Sequence, residues 1–125
     1  MGLVILLENQ YMTNKTMKII LIDLDGVLNT YTGNYDENYI PPIKAGALEF
    51  LSMLSEKYKI KIFTSRNPKS VSEWVEQNNL SSFIDGITNI KEPSYLIIDD
   101  RCIKFDGNYQ NLINEIKNFN VWHKF

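Results

Sequence analysis

The chain has 125 residues, 44% of them hydrophobic and 22% charged, with 13 basic and 15 acidic side chains. This length fits one domain with its own core, and the near-neutral charge excludes a protein that coats nucleic acid by overall electrostatic attraction. The single cysteine excludes an internal disulfide, and no run approaches the ~20 apolar residues of a membrane-spanning helix. These limits predict a cytoplasmic globular domain with no membrane partner.

An apolar run at residues 2–7 precedes the first strong strand pattern, which begins at Lys18. The run is too short to span a membrane, and it lacks the basic residues and the small-residue cleavage site of a signal peptide. We expect residues 1–17 to be a leader or an extra strand, and residues 18–125 to form the domain.

From Lys18 onward, short apolar runs alternate with helical patterns, which is typical of a parallel sheet with crossover helices. Residues 19–22 are rich in β-branched side chains and predict a buried central strand. Residues 29–39, rich in Asn, Gly, Thr and Tyr, predict a loop or a small hairpin. Pro41-Pro42 predicts the start of a helix that continues to about Glu56, since proline fits the first helical turn.

The alternation continues through the second half of the chain. Residues 59–63 predict a second strand, and Asn67-Pro68 predicts the start of a second helix. Residues 83–88 and 95–98 predict two further strands. A last helix follows, and its apolar residues are spaced to face the sheet: Leu112, Ile113, Ile116 and Phe119. The whole pattern predicts a three-layer α/β/α Rossmann-like fold with a mostly parallel sheet.

Acidic side chains end two of the predicted strands, at the edge where open parallel sheets bind ligands. Asp23 and Asp25 follow the first strand, and the adjacent Asp99 and Asp100 follow the fourth. Neighbouring acids at the end of a buried strand are costly unless a cation meets them, and Mg²⁺ bound by carboxylates would do so. The alternative is that both pairs are solvated turn residues, and the adjacent pair favours the metal.

A polar cluster also follows the second predicted strand. Thr64 can donate a hydrogen bond to a phosphoryl oxygen, and Arg66 can clamp an anion with two hydrogen bonds. The alternative is that Ser65 or Asn67 caps the following helix, and both interpretations can hold together. Lys91 lies just before the fourth predicted strand, where a lysine on its own is usually solvated.

Together these clusters resemble the four motifs of the haloacid dehalogenase (HAD-like) superfamily of phosphohydrolases, over residues 18–105. Four motifs in order, each ending a strand or lying beside one, form a far more specific signal than a lone Asp-x-Asp. In chain order they are Asp23-x-Asp25-Gly26, Thr64, Lys91 and Asp99-Asp100.

The resemblance implies hydrolysis of a phosphate monoester and a role for each position. Asp23 would be the nucleophile that forms an aspartyl-phosphate, and Asp25 would act first as an acid and then as a base. Thr64 and Lys91 would hold and neutralise the phosphoryl oxygens. Mg²⁺ would be held by the Asp23 carboxylate, the Asp25 backbone carbonyl and either Asp99 or Asp100.

The gaps between the motifs leave no room for the cap domain that many members carry, so the resemblance implies an open, capless site. Thr64-Ser65-Arg66 and Asp99-Asp100-Arg101 are similar to the phosphatase half of polynucleotide kinase, which removes 3′-phosphates from nucleic acid ends. They are equally similar to small capless phosphatases with an Ile-Asp-Asp-Arg fourth motif. The implied substrate is a phosphorylated small molecule, a nucleotide or a nucleic acid end. The side chains expected to bind it are Ser65, Arg66 and Arg101.

Basic side chains follow the second and fourth motifs and predict a basic rim around the site, which would favour nucleotides or polynucleotides over sugar phosphates. The rim residues are Arg66, Lys69, Arg101 and Lys104. An open site also needs a cover, which a second copy of the chain, the substrate itself or the loop at 29–39 would supply.

The loop at 29–39 carries three tyrosines: Tyr31, Tyr35 and Tyr39. Their rings can stack on a base or sugar, or they can pack the loop onto the domain. A different class of function also stays open, in which the domain binds a phosphorylated ligand or protein without turning it over. The presence of both Asp23 and Asp25 favours an enzyme, because a binding module has no need for both.

Overall fold

A computed structural model describes residues 17–122, so the prediction for the N-terminal apolar run lies outside the described residues. Within this range, the strands are β1 (Ile19–Asp23), β2 (Lys59–Phe63), β3 (Gly86–Thr88) and β4 (Leu96–Ile98). The helices of the same range are α1 (Ala47–Ser55), α2 (Pro68–Gln77) and α3 (Tyr109–Lys117). The strands form one parallel sheet in the order β3-β2-β1-β4, which confirms the predicted α/β Rossmann-like fold.

The parallel register brings the carboxyl ends of the strands to one edge of the sheet. Asp23, the last residue of β1, lies opposite Phe63 of β2, and Phe63 lies opposite Thr88 of β3. On the other side of β1, Ile22 lies opposite Ile98 of β4. The polar residues that follow β1, β2 and β4 therefore emerge side by side at this edge.

The core lies between one face of the sheet and the helices α1 and α2. Both crossovers, from β1 to β2 and from β2 to β3, move in the same direction, and right-handed connections then place both helices on one face. Alternate residues of β1 and β2 point to that face. The buried core comprises Ile20, Ile22, Leu24, Leu28, Ala47, Leu51, Ile60, Ile62, Val71, Trp74, Val75 and Leu80.

The first helix begins later than Pro41-Pro42 predict, so that prediction is wrong. An antiparallel bridge between Asn29 and Ile43 occupies the segment instead, and its backbone hydrogen bonds compete with the helix. Gly46, with φ of 90°, then turns the chain, and α1 begins at Ala47. By contrast, β2 and the start of α2 lie where the sequence predicts them.

The last helix forms as predicted but does not face the sheet. Among residues 17–122, α3 contacts no other helix or strand, and none of its residues is buried. Ile113 and Ile116 are 46% and 59% exposed. The chain after β4 continues as an irregular segment over residues 99–108 and does not return across the sheet. A hydrophobic stripe predicts an amphipathic helix, but it does not say what the stripe packs against.

The connections between the first three strands hold one helix each, so neither carries an inserted cap domain. This confirms the capless architecture for the described residues. No helix within residues 17–122 is long and apolar enough to cross a membrane.

We predict that Leu51→Ala and Ile116→Ala differ sharply in their effect on stability. Leu51 is fully buried between α1 and the sheet, so Leu51→Ala should lower the free energy of unfolding by ~2–5 kcal/mol. Ile116 is mostly exposed, so Ile116→Ala should change it by less than ~0.5 kcal/mol. Urea unfolding followed by circular dichroism measures both values. Equal losses in the two variants would show that α3 is part of the core.

Candidate active site

Three carboxylates converge at the carboxyl edge of the sheet, and we call them the Asp triad. Asp23 ends β1, whereas Asp99 and Asp100 follow β4, the neighbouring strand. Each residue offers one oxygen atom, and these three oxygens lie within 4.8 Å of one another. All three side chains are half-buried. Carboxylate oxygens at this spacing are suited to a hard divalent cation such as Mg²⁺.

Two cavities open at this edge, and both are lined by Asp23, Ser65 and Asp99. The smaller, of about 190 Å³, also contacts Thr64. The larger, of about 330 Å³, extends toward the loop at 29–39. The additional residues that line the larger cavity are Asp25, Tyr31, Tyr35, Asp100 and Arg101. The volume of the larger cavity falls in the range of small-molecule sites, which begins at roughly 300 Å³.

Burial of the carboxylate, together with the crowding of negative charge around it, raises the pKa of Asp23 from its ordinary value of 3.8 to about 8. Burial of the carboxylate is the largest cause, and repulsion from Asp99, Asp100 and Asp25 adds to it. A hydrogen bond from the backbone of Leu24 acts in the opposite direction. A cation beside the triad would favour the charged carboxylate and reverse the shift, since opposite charges lower the pKa of an acid.

Asp25 is held by two side chains, one on each carboxylate oxygen. Asn29 Nδ2 donates to Asp25 Oδ1 at 3.0 Å, and Arg66 Nε donates to Asp25 Oδ2 at 2.8 Å. Asn29 is itself fully buried, and its Oδ1 accepts hydrogen bonds from the backbone N–H groups of Gly26 and Tyr31. These contacts fix the direction in which the Asp25 carboxylate points.

The sequence interpretation missed the contact between Asn29 and Asp25, since it placed Asn29 in a loop. The chain makes one tight turn after β1, in which the backbone N–H groups of Leu28 and Asn29 both donate to the carbonyl of Leu24. A single helical turn brings residues four apart onto one face. The spacing of Asp25 and Asn29 therefore carried a usable signal.

Thr64 and Ser65 follow β2 as predicted, directly beside Asp23. Thr64 is buried, and its backbone N–H donates to the carbonyl of Thr88 at 2.9 Å. Its Oγ1 accepts a hydrogen bond from the backbone N–H of Arg66 at 3.2 Å. The hydroxyl can still donate its own hydrogen to an acceptor in the cavity. Ser65 is exposed and lines both cavities.

Arg66 does not lie on the surface, which corrects the prediction that it belongs to a basic rim and clamps the substrate. Its side chain is only 2% exposed, and besides Asp25 it binds the backbone carbonyl of Asp36 through Nη1 at 2.9 Å. The sequence indicated a cation at this position but could not indicate its partner, because Asp25 lies 41 residues away along the chain.

Arg101 and Lys91 differ in their position relative to the two cavities. Arg101 is exposed and lines the larger cavity, and its backbone N–H donates to Asp99 Oδ1 at 2.9 Å. Lys91 is exposed and lines neither of the two cavities. The edge of the sheet thus gathers all the predicted site residues except Lys91, with Arg66 buried behind Asp25.

Gly26 allows the first and fourth motifs to approach each other. Its φ of 88° lies in the left-handed region, and a Cβ at this position would overlap Asp100 Oδ2. Trp122 Nε1 donates to the Gly26 carbonyl at 2.9 Å and holds the turn from its other side. Glycine is therefore required here both by the backbone and by the close carboxylate.

Comparison with known proteins supports the fold and leaves the activity open. The chain matches no protein-family model and no curated protein. It is similar to the solved structure of a conserved protein from Bacteroides thetaiotaomicron, with a TM-score of 0.55 and 19% sequence identity. The similarity covers 86% of this chain and 95% of that one. A likeness at this level of identity shows the α/β fold alone.

We predict that Gly26→Ala disturbs the Asp triad beyond the cost of backbone strain. Gly107 is a matched control, because its φ of 95° is similar but a Cβ there meets no atom within 4 Å. Both variants should lose ~1–2 kcal/mol of stability from the left-handed conformation. Only Gly26→Ala should also weaken Mg²⁺ binding, by about tenfold or more. Calorimetric titration of Mg²⁺ measures this, and equal affinities in the two variants would contradict the account.

We predict that Asp23→Asn stabilises the metal-free protein at neutral pH. Folded Asp23 keeps its proton up to about pH 8, whereas the unfolded chain releases it near 3.8, so the folded state binds more protons between these values. Stability then falls as the pH rises through this window, and the amide removes the loss. After discounting for solvent screening, we expect a gain of about 3–5 °C in Tm at pH 7–8.

Thermal unfolding in the presence of a chelator, from pH 4 to pH 9, measures this difference. The gain should shrink as the pH falls toward the ordinary pKa of 3.8. Glu73→Gln, on the exposed face of α2, is the matched carboxylate-to-amide control and should show no such gain. A destabilised Asp23→Asn protein at pH 8 would contradict the repulsion described here.

Proposed function

We propose that this protein is a Mg²⁺-dependent phosphate monoester hydrolase in which Asp23 is the nucleophile. The observation that carries the proposal is that the Asp triad and a fourth, separately held carboxylate, Asp25, line one open cavity. The Asp triad supplies the ligands that a cation site needs, and Asp25 supplies the group that proton transfer needs. Thr64 and Ser65 add hydroxyl donors beside them.

The donor set of the triad fits a hard cation. It consists of carboxylate oxygens, without nitrogen or sulfur, and three such oxygens lie within 4.8 Å of one another. Mg²⁺ prefers oxygen ligands and keeps several waters and phosphate oxygens in its shell, which an open cavity allows. Asp23, the Asp25 carbonyl and one or both of Asp99 and Asp100 would hold it. When bound, Mg²⁺ offsets the negative charge of the carboxylates and of the phosphoryl group.

Asp23 supplies the nucleophilic oxygen. This oxygen forms a bond to phosphorus as the bond between phosphorus and the ester oxygen breaks, which gives an aspartyl-phosphate. The position of Asp23 at the end of β1 holds it rigidly, and positioning contributes strongly to phosphoryl transfer. The phosphoryl oxygens accept hydrogen bonds from the Thr64 hydroxyl and from Ser65, both of which lie on the cavity wall beside Asp23.

Asp25 moves the protons in both steps. In the first step it gives a proton to the leaving ester oxygen. In the second it takes a proton from water, whose oxygen bonds to phosphorus as the bond to Asp23 breaks and inorganic phosphate leaves. Both oxygens of Asp25 accept a hydrogen bond, from Asn29 and from Arg66, and each keeps a second lone pair for this proton.

The open cavity favours substrates larger than inorganic phosphate. Arg101 lies on its wall and supplies a positive charge toward a phosphorylated small molecule, a nucleotide or a nucleic acid end. Lys91, exposed and outside the cavities, is not needed for the proposal. The neutralisation of phosphoryl charge that the sequence assigned to Lys91 then falls to Mg²⁺ and Arg101.

A phosphatase screen with Mg²⁺ over nucleotides, sugar phosphates and 3′- or 5′-phosphorylated oligonucleotides tests the proposal. We expect turnover that depends on Mg²⁺ and that falls by ~10³-fold or more in Asp23→Asn, since an amide is a poor nucleophile. Glu73→Gln should retain full activity. Turnover in Asp23→Asn above about a tenth of wild type would contradict the role of Asp23. Binding of a phosphorylated ligand without any turnover would favour the non-catalytic alternative.

A further inference from the structure

The Arg66 guanidinium joins two parts of the cavity wall that are distant in sequence. Nε binds the Asp25 carboxylate at 2.8 Å, and Nη1 binds the backbone carbonyl of Asp36 at 2.9 Å. The guanidinium carbon of Arg66, Cζ, lies 4.6 Å from the centroid of the Tyr35 ring. Tyr35 and Asp25 both line the larger cavity. One side chain therefore contacts both the proton-transfer group and the loop beside it.

The loop at 29–39 is tied to the domain at three points. Asn29 fixes its beginning, and Trp74 Nε1 donates to the carbonyl of Pro41 just beyond its end. Arg66 holds the middle of the loop, where residues 34–39 are exposed. The position of the Tyr35 ring thus depends on the position of Arg66, which depends in turn on Asp25.

The contacts of Arg66 are not those of a group placed for stability alone. Its Nη2 is buried and has no hydrogen-bond partner within residues 17–122. A buried donor without a partner costs about 1–3 kcal/mol, and a buried ion pair is weak support for stability in general. The orientation that leaves Nη2 without a partner is the one in which Nε meets Asp25 and Nη1 meets Asp36.

We propose that Arg66 is a positioning residue that couples the loop at 29–39 to Asp25. The position of the loop along the cavity and the orientation of the Asp25 carboxylate then depend on each other. This proposal rests on the proposed function, because the coupling matters to a reaction in which Asp25 moves a proton. The coupling is reciprocal: a change at Asp25 loosens the loop, and a change in the loop contact displaces Asp25.

Two conservative variants separate this coupling from a simple anchoring of the loop. Arg66→Lys keeps the charge, but an ammonium lacks the planar fork that binds Asp25 and Asp36 together and lies against Tyr35. Asp25→Asn is nearly isosteric, yet its amide places a donor against either Arg66 or Asn29. Lys61→Met is the matched control, since it removes another paired cation of the β2 region, the partner of Glu92 at 2.8 Å.

Amide hydrogen exchange on the full chain tests the proposal without relying on activity. In Arg66→Lys and in Asp25→Asn, the amides of Asn38 and Tyr39, which donate hydrogen bonds to Asp36, should exchange about tenfold faster than in wild type, with α1 and α2 unchanged. Lys61→Met should leave the loop unchanged. In the double variant the two effects should not add, because both break one link. Faster exchange in Arg66→Lys alone, or in neither variant, would overturn the coupling.

A kinetic arm applies to a substrate found in the phosphatase screen. Arg66→Lys should lower kcat and alter the pH profile of kcat, because Asp25 loses its fixed orientation. Tyr35→Leu should raise KM and shift that profile less than Arg66→Lys does, since it removes the ring contact of Arg66 and keeps the hydrogen bonds to Asp25 and Asp36. A wild-type pH profile in Arg66→Lys would overturn the proposal. Absence of turnover in the wild-type protein would contradict the proposed function, while the exchange experiment still decides the coupling.

Discussion

The burial and mutual repulsion of carboxylates at one edge of the sheet are the constraint on which this site depends. Asp23, Asp99 and Asp100 lie together because β1 and β4 are neighbouring parallel strands whose carboxyl ends coincide. Burial and the nearby acids raise the pKa of Asp23 to about 8, so the folded chain holds this group at a cost. Such a cost is typical of a functional site, where a bound ligand offsets the negative charge of the carboxylates.

Asp25, the fourth acid, lies in a different environment, although it is only two residues from Asp23. Asp25 accepts hydrogen bonds from Arg66 and Asn29, and it lines the same larger cavity as the Asp triad. The tight turn after β1 makes both environments possible, because Gly26 lets Asp100 approach and Asn29 holds Asp25. A short segment of chain thus gives two carboxylates two different environments, which is the general basis for assigning them different roles.

Much of the fold and of the site could be predicted from the sequence, because these parts depend on local pattern. The run at 19–22 is continuously apolar and residues 59–63 alternate Lys with apolar residues, so both predict strands, and parallel strands bring the residues after them to one edge. The start of α1 could not be predicted from Pro41-Pro42, since a bridge between residues far apart in sequence overrides the local preference. The packing of α3 and the burial of Arg66 likewise depend on tertiary contacts, whereas the contact of Asn29 with Asp25 is local.

Calorimetric titration of Mg²⁺ into the metal-free protein at neutral pH tests the central claim most directly, because the triad should be completed by one cation. We predict one site per chain, with a Kd in the millimolar range or tighter, and loss of this site in Asp23→Asn while Glu73→Gln binds as wild type. Absence of binding at ~10 mM Mg²⁺, or the same affinity in Asp23→Asn as in wild type, would contradict this claim.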